Sequence, residues 1–136
     1  MRNTPFLAAA AITAGLILGA CGGGGGGGGS NPAGGTVTNN GAVGATVTIT
    51  SAGVSPKTVT IRVGERVAFA NQDGNVHEMA SNPHPAHTDC PAINTLGTIP
   101  AGQTRTTGDL TTARTCGYHD HLRDTNASLQ GTIVIQ

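Results

Sequence analysis

One six-residue string concentrates the chemistry of this chain: Cys116-Gly117-Tyr118-His119-Asp120-His121 sets a thiol and two imidazoles side by side. Upstream, His77, His84 and His87 bring the total to five histidines, all between positions 77 and 121. Imidazole nitrogen and thiolate sulfur are the donors that suit copper and zinc. Charged residues make up only 10% of the chain, so these histidines are not an incidental part of a generally polar surface. The pattern points to a protein that binds one metal ion, with copper as the first candidate and zinc as the second. On an extended segment His119 and His121, two apart, fall on one face. His84 and His87 lie in Asn82-Pro-His84-Pro-Ala-His87-Thr-Asp89, where prolines fix φ and stiffen the loop. They are a second tier, either as further ligands or as groups that orient the others. Tyr118 reads as a packed aromatic.

The elements that must position these groups are strands. Val47 and Ile49 alternate with threonines over Thr46–Thr50, Val59, Ile61 and Val63 follow the turn at Ser55-Pro56, and Val67 and Phe69 alternate over Arg66–Asn71. Ile133 and Ile135 repeat the pattern in the last strand, Gly131–Gln136, while 103–110 and 112–118 are weaker and rich in threonine. Turn signals separate them at Gly53, Val63-Gly64-Glu65, Gln72-Asp73-Gly74-Asn75 and Pro100-Ala-Gly102. No stretch carries a helical period. About seven short strands with regular turns predict an all-β, antiparallel Greek-key β-sandwich. Pro83, Pro85 and Pro91 make residues 81–96 a long loop, and long loops on such scaffolds carry function.

Ahead of the domain, residues 1–21 read as an export signal. Arg2 is followed by an apolar run from Phe6 to Leu18, too short for a mature membrane span. Its ending, Leu18-Gly-Ala-Cys21, resembles a bacterial lipobox, which makes Cys21 the lipidation site and anchors the exported protein to a bacterial membrane, facing the periplasm or the cell exterior. Residues 22–44 begin with eight consecutive glycines and continue in Ser, Asn, Thr and Gly. Such a segment buries nothing and serves as a flexible tether spanning about 25 Å. The domain proper is expected over 45–136, enough for one small core. The chain's formal charge is zero, and without a basic stripe nothing invites nucleic acid.

The front of the domain, Val47-Thr-Ile-Thr…Ser55-Pro-Lys-Thr-Val-Thr-Ile-Arg-Val-Gly64-Glu-Arg-Val-Ala-Phe-Ala-Asn71-Gln-Asp73…His77, resembles the plastocyanin-like cupredoxins, as do the Cys/His string and the terminal Gly-Thr-Ile-Val-Ile strand. The resemblance covers 45–136. It implies copper, one-electron transfer and a redox partner protein, and it makes His77 the first histidine ligand. Two registers compete at the back. In one, Cys116 and His119 are the family's Cys-x-x-His pair, so Cys116 is a thiolate ligand. In the other, counted back from Gly131-Thr132, His121 takes the histidine position and Tyr118 the cysteine position, leaving His77, His119 and His121 as the core ligands. The Tyr-His-Asp-His string then marks a variant branch of the family.

Cysteine arithmetic bears on the choice. With Cys21 acylated, Cys90 and Cys116 remain in an export compartment that permits disulfides. Pairing them favours the second register; leaving them free favours the first. A weak axial methionine is also missing: beyond Met1 the only methionine is Met79, and Leu129 stands where the axial ligand would fall. Three functions are open to such a chain. The first is a tethered electron carrier. The second is copper sequestration or delivery, with a copper donor or acceptor as partner. The third is a small copper redox enzyme, for which no acid/base pair or substrate pocket is legible; the reading is of a protein that is not an enzyme.

Overall fold

The structure, a computed structural model, describes residues 41–136. The expected signal with Cys21, and the tether as far as residue 40, lie outside the described residues. Nine strands succeed one another along the described chain: β1 (Val43–Thr50), β2 (Gly53–Ser55), β3 (Thr58–Ile61), β4 (Arg66–Asn71), β5 (His77–Ser81), β6 (Thr98–Ile99), β7 (Thr104–Thr106), β8 (Arg114–Asp120) and β9 (Gly131–Ile135). The expected count of about seven is exceeded by short pieces: β2 has three residues and β6 two.

The strands form two sheets, β2-β1-β4-β7 and β3-β9-β8-β5-β6. Five of the seven pairings are antiparallel, but β1–β4 and β3–β9 run parallel. The sheets are therefore mixed, because the chain passes from β2 in the first sheet to β3 in the second before β4 returns beside β1. The alternating residues do what alternation predicts. Val47, Ile49, Val67, Phe69, Ile133 and Ile135 are all buried between the sheets. Burial of apolar surface at roughly 25 cal/mol per Å² is the main stabilising term in such a core. Phe69 and Tyr118, its two aromatic residues, meet edge to face with centroids 5.1 Å apart. At the β3–β4 turn Gly64 has φ of 89°, a left-handed conformation that glycine adopts without steric cost.

β5 begins at His77 and leads directly into the loop that carries His84 and His87. It pairs with β8 in the register Met79↔Asp120, Ala80↔His119, Ser81↔Tyr118. The Asn82 N–H extends that pairing by donating to Gly117 O at 3.0 Å. From Asn82 the chain leaves the sheet as the long proline loop and returns to the core at Ile93 and Leu96.

Candidate metal centre

Strand parity divides the histidines into two sets. Cross-strand neighbours share a face, and successive residues alternate. Tyr118 and Asp120 of β8 therefore share the core-facing side with Ser81, Met79 and His77 of β5, while His119 and Ala80 occupy the opposite side. His77 and His119 sit on adjacent strands and on opposite faces.

On the core-facing side, His77 is almost wholly buried, and both of its ring nitrogens are engaged by carboxylates. Nδ1 lies 3.0 Å from Asp120 Oδ2 and Nε2 lies 3.0 Å from Asp73 Oδ2. Asp120 also accepts from the backbone N–H of Glu78 and Leu122 and from Arg123 Nη1. Burial alone would push the Asp120 carboxyl upward, but these hydrogen bonds outweigh it and hold the group below its ordinary value. Asp73 is likewise lowered, by hydrogen bonds from Asn75 and His77. Asn71, buried beneath this turn, donates to Asn75 O and Ile99 O and accepts the Asp73 N–H, which fixes Asp73 under the imidazole.

On the other side, His84 and His87 of the proline loop fold over His119 and His121. One ligand atom from each of the four lies within 4.8 Å of the rest. His84 is exposed, His87 and His121 are half-buried and His119 is buried. Asn82 Oδ1 lies 2.8 Å from His119 Nδ1. His119 Nε2 is buried without any hydrogen-bond partner. His121 Nδ1 and His87 Nε2 are 3.3 Å apart, one donating to the other. His84 Nε2 lies 3.5 Å from Asp124 Oδ2 at the rim. Burial, then the neighbouring imidazoles, lower the basicity of His87 and His119 and favour neutral rings. Neutral imidazole is the form that binds a metal. His121 opens a 3-10 turn, His121–Arg123, in which the Asp120 carboxylate caps the Leu122 N–H.

Cys90 and Cys116 form a disulfide with Cα atoms 6.0 Å apart. That removes Cys116 as a thiolate ligand and settles the choice between the two cysteine roles. The bridge ties the end of the histidine-bearing loop to the strand that carries His119. Met79 and Leu129 are buried in the apolar core.

The structure thus brings together four of the five histidines. His84 and His87, placed in a second tier from sequence, join His119 and His121 directly. His77, placed among the core ligands, stands apart, because β5 turns it to the core side and two carboxylates hold it there. One signal pointed to this grouping: Cys90, three residues past His87, and Cys116, three before His119, bring the two pairs together once they are joined.

Solved structures share the architecture. Oxidised plastocyanin from Dryopteris crassirhizoma superposes with a TM-score of 0.53 at 14% identity, covering 67% of this chain and 99% of plastocyanin. A reduced Cu(I) amicyanin variant at pH 4 gives 0.53 at 18% identity, over 71% of this chain and 84% of that one. The fold is the cupredoxin fold. No protein-family model matches the sequence, and no curated protein does. At these identities the likeness speaks for the fold alone, so the cupredoxin scaffold is common ground while the histidine group must be read from its own residues.

Proposed function

We propose that this protein binds a single copper ion through His84, His87, His119 and His121, and that it holds or delivers copper outside the cytoplasm. The observation that carries the reading is the buried, unpartnered Nε2 of His119 at a group of four imidazoles. A buried nitrogen left without a partner costs about 1–3 kcal/mol, and a metal would satisfy it. The donor set fits the group: nitrogen ligands suit copper(II) and zinc, and with Cys90 and Cys116 joined no thiolate among the described residues is left to give a blue site. Bound there, copper would supply a redox-active cation. The chain's own residues would orient the imidazoles, keep them neutral and cover one of them from water. Export and a lipid anchor at Cys21 would place the site at a membrane surface, with a copper donor or acceptor as partner.

Electron transfer to a partner protein is the second reading. The scaffold shared with plastocyanin favours it; the histidine-only donor set favours copper handling. In either case the protein is a carrier or binding protein rather than a catalyst. The test is titration of the full chain with Cu(II), followed by visible absorption and electron paramagnetic resonance. One equivalent bound with faint ligand-field absorption and nitrogen couplings is expected. An intense thiolate-to-copper band, or binding unchanged when His119 and His87 are both replaced by alanine, would overturn the assignment.

A further inference from the structure

Asn82 connects the proline loop, Gly117 and His119. Its N–H donates to Gly117 O at 3.0 Å, and its C=O accepts the Asp89 N–H at 2.9 Å. Those two bonds close the base of the loop that carries His84 and His87. Its side-chain oxygen lies 2.8 Å from Nδ1 of His119. Its amide nitrogen lies over Gly117, where a Cβ would come within 2.3 Å of it. A methyl group at position 117 and the Asn82 amide in its present place exclude each other.

The chemistry of the contact sets the state of His119. An amide oxygen only accepts, so a bond from Asn82 Oδ1 requires a hydrogen on Nδ1. In a neutral imidazole that leaves Nε2 bare, with its lone pair available. Nε2 is the nitrogen that is buried and has no partner. The Nδ1–H form is the less favoured one for a free histidine side chain, so something must select it.

On the reading that the four histidines bind a metal, we infer that Asn82 is the positioning residue of this centre: it holds His119 in the Nδ1–H form with Nε2 presented to the ion, and Gly117 lacks a side chain so that Asn82 can lie there. Position 117 is thus part of the metal site although it offers no ligand. The same residue couples the two halves of the site, because the backbone of Asn82 anchors the loop while its side chain sets the strand histidine.

Long-range proton–nitrogen NMR on the metal-free full chain reads the His119 tautomer directly, and titration with Cu(II) and with Zn(II) reads affinity. Wild type is expected in the Nδ1–H form. Asn82→Leu, similar in size but without an acceptor, should shift His119 toward Nε2–H and weaken both metals about 10- to 100-fold. Asn82→Asp keeps the acceptor and should stay near wild type in both readouts. Gly117→Ala leaves Asn82 in the chain but displaces its amide, so it should reproduce the Asn82→Leu effect. Only a flexible side-chain end has to move, so this variant also serves if Asn82→Leu does not fold. Combining Gly117→Ala with Asn82→Leu should add nothing further. A wild-type His119 carrying its hydrogen on Nε2, or Asn82→Leu and Gly117→Ala proteins that bind as wild type does, would overturn the inference. If no protein in the set binds metal while the tautomer still follows Asn82, the positioning role stands and the metal-binding reading falls.

Discussion

His77 and His119 lie on neighbouring strands of one sheet, and the chain treats them in opposite ways. His77 faces the core and is clamped between Asp73 and Asp120, whose carboxylates occupy both ring nitrogens. His119 faces the other way, among three further imidazoles, and keeps one buried nitrogen unpartnered. Carboxylates around an imidazole satisfy both of its nitrogens. Imidazoles around an imidazole lower its basicity and leave its lone pair available to a metal. Between the two stands Asp120, which serves His77 with its carboxylate and caps the turn that begins at His121. Residue type alone does not separate a structural histidine from a functional one; what its second nitrogen meets does.

A crossed pair of substitutions puts that contrast under the greatest load. His119→Ala should lower metal affinity by at least about 100-fold, since it removes the buried ligand together with its orienting contact. Stability of the metal-free protein should change little, because an unsatisfied buried nitrogen goes with it while Asn82 Oδ1 loses its partner. His77→Ala should do the reverse. Metal stoichiometry is retained, while about 1–3 kcal/mol of stability is lost as the buried carboxylate of Asp120, and Asp73 beside it, lose their imidazole hydrogen-bond partner. Calorimetric titration and urea unfolding read the two effects separately. A His77→Ala protein that is stable but binds no metal would reverse the assignment.

Next in size is the bridge between the two histidine-bearing segments. Replacing Cys90 and Cys116 by alanine opens a loop whose ends are 26 residues apart. In the chain-entropy model this costs on the order of 3 kcal/mol. If the bridge also holds His84 and His87 over the strand, metal affinity falls in the same protein. His77, whose carboxylate partners are Asp120 of β8 and Asp73 of the 72–76 turn, should keep both contacts. Retained affinity after loss of the bridge would show that Asn82 and the prolines alone hold the loop.

Much of the scaffold could be read from the chain. The period-two runs through Val47, Val67 and Ile133 became β1, β4 and β9 with the expected residues inside. β5 escaped, because His77-Glu-Met-Ala-Ser has neither β-branched residues nor a clean alternation; it is held in place by β6 and β8 on either side. The five histidines could be identified as one chemistry, but not divided. Their division depends on the register of β5 against β8, and a shift of one residue exchanges the two faces. Nothing within the His77–Ser81 segment specifies that register. The pairing of Cys90 with Cys116 carries the missing information, and it could be stated from sequence only as one of two alternatives.

The smallest effect distinguishes the two environments by pH, in the metal-free protein. His87 and His119 titrate below their ordinary value in the folded state, chiefly because burial disfavours the charged ring. As pH falls through about 6.5, the unfolded chain takes up these protons first. The stability they contribute is therefore complete above that point and is lost toward their lower folded values. Asp120 and Asp73 are lowered too, so their contribution is complete above about pH 4 and is lost as pH falls through the folded carboxyl values. Two acid windows should appear in a plot of unfolding free energy against pH. His119→Ala should flatten the upper one and leave the lower. Asp120→Asn should remove most of the lower one and leave the upper. Exposure of His87 to solvent screens its share, so within the upper window His119→Ala should produce the larger change and His87→Ala the smaller.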